Sequence, residues 1–299
     1  MLPYRPSEQR IVSLMTALPI VQQFDTTQPV ASPRMQRSRG CGCIAAKRAG
    51  SGETRLDTLF QEGSARIRLP KSHSEGRLEA VLLNTSGGMT GGDRLDWRAD
   101  AAAKTHLTLA SQTAERLYRS PDGVATVDVR LSASEGAVLH WLPQETIMFD
   151  GGALHRKITV DLGADAELLI CEPIVFGRTA MGETVRHGTL RDDWRIRRDG
   201  HLVHAEAFLI QGAIDARLTR KSIAGGLRAA ATAILFSHCA EAFLERARAI
   251  IGEAGGASFF DGKLVCRLLA PDALALRQKL IPLLTTLRGG HALPRCWSC

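Results

Sequence analysis

Aromatic residues are scarce in this chain. Four Trp, two Tyr and nine Phe make up 5% of 299 residues. That is too few for stacking platforms that hold single-stranded nucleic acid. No run of about 18 apolar residues occurs, which excludes a membrane-spanning helix. The chain also lacks Gly-Lys-Ser/Thr after a glycine loop, a G-x-S-x-G elbow and H-E-x-x-H. The standard motifs for nucleotide binding, ester hydrolysis and zinc proteolysis are therefore missing. The apolar stretch from Ile11 to Val21 is broken by Ser13, Thr16 and Pro19, so it makes a poor secretory signal.

Seven cysteines are scattered along the sequence. An odd, dispersed set suits free thiols in a reducing cytoplasm. Cys41-Gly-Cys43 and Cys296-Trp-Ser-Cys299 stand at opposite ends of the chain. A four-thiolate metal site would need the fold to join those ends.

The net charge of +7 is unevenly placed. Residues 1–50 hold seven basic and two acidic residues, or +5; the remaining 31 basic and 29 acidic residues give +2. Residues 1–45 also contain Pro3, Pro6, Pro19, Pro29 and Pro33 with no sustained period. They read as a flexible basic N-terminal leader, and residues 46–299 as one β-rich domain.

What the body does contain is alternation. Ala65, Ile67 and Leu69 alternate with charges, as do Val127, Val129 and Leu131; Leu154, Ile158, Val160 and Leu162 share one parity. Turn signals separate these runs: Asp122-Gly123, Glu135-Gly136, Gly151-Gly152, Gly163-Ala-Asp165 and Asp199-Gly200. No helix-length pattern lies between them, so the runs predict antiparallel or helically wound β-sheet. Helical spacing appears only late. Phe243, Leu244, Ala247, Ile250 and Ile251 predict one helix, with Ser237 as its cap and Gly252 or Gly255 as its stop. A strand over 264–269 follows. Leu276, Leu280, Leu283, Leu284 and Leu287 predict a second helix, with Pro271 in its first turn and Pro282 kinking or shortening it. The fold class is mainly β with two C-terminal helices.

Asn84-Thr-Ser-Gly-Gly-Met-Thr-Gly-Gly-Asp93 is the densest motif. Four glycines in six positions imply positive φ angles or close backbone contact. The strand-like Leu95-Asp-Trp-Arg follows it, whereas a phosphate loop would lead into a helix. Three acids stand out. Glu172 shares a strand face with Leu168 and Ile170. Glu206 lies in a run apolar on both faces, which predicts burial. Asp93 follows the glycine loop directly. A buried carboxylate must be paired, hydrated or metal-bound. Arg178 and Arg186 are candidate partners.

Five segments, in order, carry a resemblance: LLNTSGGMTGGDRL (82–95), AERLYRS (114–120), WLPQETIMFDGG (141–152), FGRTAMGETVRHGTL (176–190) and LPRCW (293–297). Together they resemble the UreD (also called UreH) family of urease accessory proteins, over about residues 45–297. The resemblance implies a non-enzymatic metallochaperone scaffold that helps insert nickel into apo-urease. It implies a helically wound two-layer β-structure with two helices, and a helical partner (UreF) and a GTPase (UreG). It also implies a water-filled tunnel for nickel, with no permanently bound cofactor. Asp93, Glu172 and Glu206 fall at the family's acidic positions and are the metal-contacting candidates, with Glu115 and Glu145 as lesser ones. Carboxylates and water hold nickel loosely, as transit requires. Two other readings stand beside this one. One is a hydrolase or nucleotide-binding enzyme centred on residues 84–93. The other is a nucleic-acid binder using residues 5–48.

Overall fold

The alternating runs become strands, and the turn signals fall between them. A computed structural model describes residues 36–70, 76–178 and 181–298. In chain order the first strands are β1 (Arg39–Arg48), β2 (Thr54–Gly63), β3 (Ala65–Arg68), β4 (Leu78–Asn84), β5 (Arg94–Ala101) and β6 (His106–Ser111). Next come β7 (Glu115–Leu117), β8 (Ala125–Ala133), β9 (Val138–Trp141), β10 (Thr146–Met148), β11 (Ala153–Leu162) and β12 (Glu167–Phe176). The series closes with β13 (His187–Arg198), β14 (His201–Ala213), β15 (Ala229–Phe236), β16 (Gly255–Phe260) and β17 (Lys263–Ala270).

They form two sheets. Sheet A runs β14-β13-β11-β8-β5-β1-β2; sheet B runs β16-β17-β15-β12-β9-β6-β4-β3, with β7 and β10 alongside. From β4 onward the chain steps from one sheet to the other: β4 in B, β5 in A, β6 in B, β8 in A, β9 in B, β11 in A, β12 in B, β13 in A. Neighbours within each wound stretch are parallel. The architecture is the helically wound, two-layer β-structure of the sequence reading. At the end of the winding, β13 turns back into β14 through Asp199-Gly200, both at positive φ, the geometry of a two-residue hairpin.

Alternation decides the layers. Ile158, Val160, Leu168, Ile170, Leu190 and Trp194 fill the space between the sheets. A second core lies on the outer face of sheet B, beneath α2 (Leu244–Ile251) and α3 (Ala273–Leu287). β12 serves both, so all its residues after Glu167 are buried. These two helices are the expected pair. A further helical turn, α1 (Ile214–Leu218), follows β14.

Several details differ from the sequence reading. Residues 1–35 of the expected leader lie outside the described residues, whereas residues 39–45 begin β1 in the body. Their small side chains hide the strand: a Cβ at Gly42 would meet the Trp97 ring, so only glycine packs there. Ser237 does not cap α2, which is entered through a 3₁₀ turn at Ala240–Phe243; Gly252, at φ 58°, does end it. For α3 the cap is Asp272, whose carboxylate accepts from the Ala275 amide at 2.8 Å, and Pro271 precedes the helix. Pro282 does not shorten α3, which continues to Leu287. Burial of Leu280, Leu283, Leu284 and Leu287 outweighs the one lost backbone bond.

Candidate functional site

A cavity of about 440 Å³ lies between the sheets. Sheet A contributes Trp97, Val129 and Arg156 to its wall; sheet B contributes Trp141 and Glu172. Asn84, Gly87, Gly88 and Glu115 line it where the glycine motif meets β7.

Two of these lining residues, Arg156 and Glu172, belong to a buried charged cluster. Leu154, Arg156 and Ile158 share the inward parity of β11; Leu190, Asp192, Trp194 and Ile196 share that of β13. Arg156, Glu172 and Asp192 are only 4%, 3% and 4% exposed. The Arg156 guanidinium donates to the Glu172 carboxylate through Nη1 and to Asp192 through Nε at 3.0 Å and through Nη2. The Trp141 indole donates to Glu172 at 2.8 Å, and the Trp194 indole to Asp192 at 2.8 Å. Two carboxylates thus share one guanidinium. With both ionised the group would carry one uncompensated negative charge out of water. Burial accordingly pushes the Glu172 carboxyl up to about 7, against the opposing pull of Arg156, and the nearby Asp192 adds to the rise. Glu172 therefore pairs with Arg156, not Arg178 or Arg186. Arg178 instead binds Glu183 at 2.9 Å, and the Arg186 amide donates to Asp150.

Glu115, on β7, is the second acid of the cavity. Its carboxylate accepts from the Asn84 amide group at 3.0 Å. Burial outweighs that bond and pushes its carboxyl up to about 7. Glu145 faces the other side of sheet B, where Arg277 holds it at 3.0 Å.

Asp93 does not line this cavity. It is 6% exposed, and its carboxylate accepts from the Ser38 amide at 2.7 Å and the Thr90 amide at 2.8 Å. It pins the glycine motif to the start of β1. The glycines serve close packing: a Cβ at Gly88 would meet the Arg116 carbonyl and Tyr118 ring, and one at Gly91 the Ser120 hydroxyl. Met89, Gly92 and Asp93 spend their amides on Arg116, Val124 and Thr90, so those donors are not free to cradle a phosphate.

Glu206 is not deeply buried as expected. β14 is the end strand of sheet A, and Leu202 and Leu209 on it are 55% and 59% exposed. The apolar run on both faces marks an exposed edge. Glu206 meets Arg267 of β17 at 2.7 Å and His204 at 3.5 Å. Burial raises its carboxyl, but His204 and Arg267 outweigh that and hold it below the usual range.

Strand register links two of the three acids. Glu172 stands opposite Thr232, and Thr232 opposite Arg267. Directly opposed residues share a face, so Arg267 lies two strand spacings, about 10 Å, from Glu172. Glu206 is attached to that Arg267. Asp93 lies outside this row. The reading of the sequence missed Arg156 and Asp192, although each is a charge at an otherwise apolar inward parity. Among the described residues no group of three or more His, Cys, Asp or Glu could hold a metal ion. Cys41, Cys43, Cys171, Cys239 and Cys266 are free thiols, with the Cys41 and Cys43 sulfurs 3.9 Å apart; Cys299 lies outside the described residues. No helix among the described residues is long and apolar enough to cross a membrane.

A family-wide profile described as UreD urease accessory protein matches residues 39–298. The chain is 47% identical to the urease accessory protein UreD of Agrobacterium fabrum over 274 residues, 92% of this chain and 95% of the relative. It is 48% identical to the protein of that name from Chelativorans sp., covering 91% and 99%. It is 46% identical to that of Mesorhizobium japonicum, covering 89% and 96%. With the profile matching nearly the whole described body, and these relatives matched over almost their full lengths, the chain belongs to the UreD family of urease accessory proteins.

Proposed function

We propose that this chain is a non-catalytic scaffold for urease maturation, and that nickel in transit to apo-urease passes between its two sheets. The observation that carries this reading is the buried cluster in which Arg156 and Glu172 line the inter-sheet cavity and Asp192 backs Arg156. Two carboxylates on one guanidinium leave one negative charge uncompensated, which attracts a proton or a passing divalent cation. Glu115 offers a second carboxylate near the cavity's outer end, and Glu206 continues the acidic row beyond Arg267. Oxygen ligands, each already partnered, bind nickel weakly enough to release it. Nickel here is cargo, and no resident cofactor is needed. Asp93 supports this route indirectly, by holding the loop that frames the cavity.

The chain works in the cytoplasm, which its free thiols suit, within a complex containing the helical accessory protein UreF and the GTPase UreG. A phosphate-binding enzyme at residues 84–93 is disfavoured, because that loop spends amides on its own packing.

The test is urease activation in cells that lack this protein. Wild type should restore nickel-loaded urease. Glu115→Gln combined with Glu172→Gln should still co-purify with UreF, UreG and urease but leave urease nickel-poor. Full activation by that double variant would remove the route from this cavity.

A further inference from the structure

The outer face of sheet B carries a second polar cluster, away from the inter-sheet cavity. Glu79 of β4, Thr108 of β6 and His140 of β9 lie in one register row. His106 packs edge-on against His140, with ring centroids 5.0 Å apart. Arg288, the residue that ends α3, reaches this face and is 9% exposed. At the rim, Arg77 Nη2 donates to His291 Nε2 at 2.7 Å.

What distinguishes the cluster is unmet hydrogen-bonding capacity. Nε and Nη1 of Arg288 and Nε2 of His106 are buried with no hydrogen-bond partner. No carboxylate among the described residues lies within ion-pair distance of Arg288; Glu79 acts on it only from farther off. Leaving a guanidinium buried without a counter-ion is strongly unfavourable. Polar groups left unpaired in a folded protein call for a missing partner. Three guanidiniums, those of Arg77, Arg288 and Arg295, around the one acid Glu79 exclude a metal cation. Burial, with Arg77 and Arg288 beside it, pushes the His106 imidazole down to about 3, so that ring is neutral.

We propose that Arg288, Arg77 and His106 bind a small oxyanion, inorganic phosphate or a small carboxylate, at the end of α3. Arg288 supplies the buried charge. His106 supplies a neutral ring nitrogen as N–H donor. Arg77 closes the outer side by leaving His291 for the ligand. The site is independent of the nickel route, so either proposal can fail alone.

The experiment follows thermal unfolding of the full chain while phosphate, and separately acetate, replaces chloride at constant ionic strength. A ligand that binds only the folded state raises the melting temperature with its concentration. Wild type should show a saturable rise with at least one of the two anions, and the stronger response identifies the preferred chemistry. Arg288→Gln should lose the rise. Arg77→Gln, at the solvent-facing rim, should keep the fold and weaken the apparent affinity about tenfold, the scale of one charge-assisted contact. That variant decides the matter if Arg288→Gln does not fold. No rise in wild type with either anion, or an unchanged rise in Arg77→Gln, would overturn the site.

Discussion

The two faces of β12 meet two different interiors. Toward sheet A, Leu168, Ile170, Ile174 and Phe176 surround Glu172, and the space they enclose holds a cavity and an ionic cluster. Toward the helices, Leu169, Cys171 and Val175 join Leu276, Leu280, Leu283 and Trp297 in an apolar layer. The polar groups of the second interior gather in two places: Arg277 binds Glu145 and the Trp297 carbonyl, and Thr108, His106, His140 and Arg288 cluster near the end of α3. One interior is shaped to hold helices; the other gives up dry packing to keep charge in place. Replacing buried ion pairs by apolar side chains commonly costs nothing in stability, so stability alone does not account for Arg156, Glu172 and Asp192.

Substitutions should separate the two interiors. Arg156→Met has the largest expected effect, a loss of about 3–5 kcal/mol, because it strands two buried carboxylates. Denaturant unfolding would measure it. The loss should be smaller near pH 4, where Glu172 is protonated, than near pH 8. Adding Glu172→Gln and Asp192→Asn should recover much of it; no recovery would mean that Arg156 acts through packing. In the dry layer, Leu280→Ala should cost roughly 3 kcal/mol with no dependence on pH between 5 and 8. A pH-dependent loss there would erase the contrast.

Glu115→Gln should act more gently and in the opposite direction. The folded carboxyl titrates at about 7 and its ordinary value is 4.5. Between those values the folded state keeps a proton that the unfolded chain has released, so wild-type stability falls as pH rises through that window. Glutamine removes this slope and should stabilise the protein at pH 8 by on the order of 2 kcal/mol. Parallel stability–pH curves for the two proteins would contradict the shift. Glu206→Gln should change stability by less than about 1 kcal/mol, because its partner Arg267 is largely exposed. A larger loss would place Glu206 with the interior acids.

The strands were legible because period-2 alternation and Gly/Asp turns recur with no helix between them; that pattern fits antiparallel and wound sheets alike, and it was the resemblance to the UreD family that implied the winding. β1 was harder to see: Gly40, Gly42, Ala45 and Ala46 carry little apolar signal, and the two glycines fit against Leu95 and Trp97 on the neighbouring strand. The site was half legible. Glu172 announced itself as an acid in an apolar run. Arg156 looked like one more charge in His155-Arg156-Lys157, and only the inward parity of Leu154 and Ile158 distinguishes it. Glu206 misled because a run apolar on both faces describes a buried central strand and an uncovered edge equally well.

The winding also sets a timetable for folding. Adjacent parallel strands in either sheet are always separated by a strand of the other sheet, so none of these pairs can close as a hairpin. Each rung must wait for a full turn of chain, and loop entropy is lost before the contacts that repay it exist. Such a chain is expected to fold slowly and to expose unpaired strand edges meanwhile. The order β4 to β13 makes each new rung depend on the one before. An early arrest would leave a growing edge open to other chains, so the yield of native protein should depend on synthesis rate and temperature as much as on the stability of the finished fold.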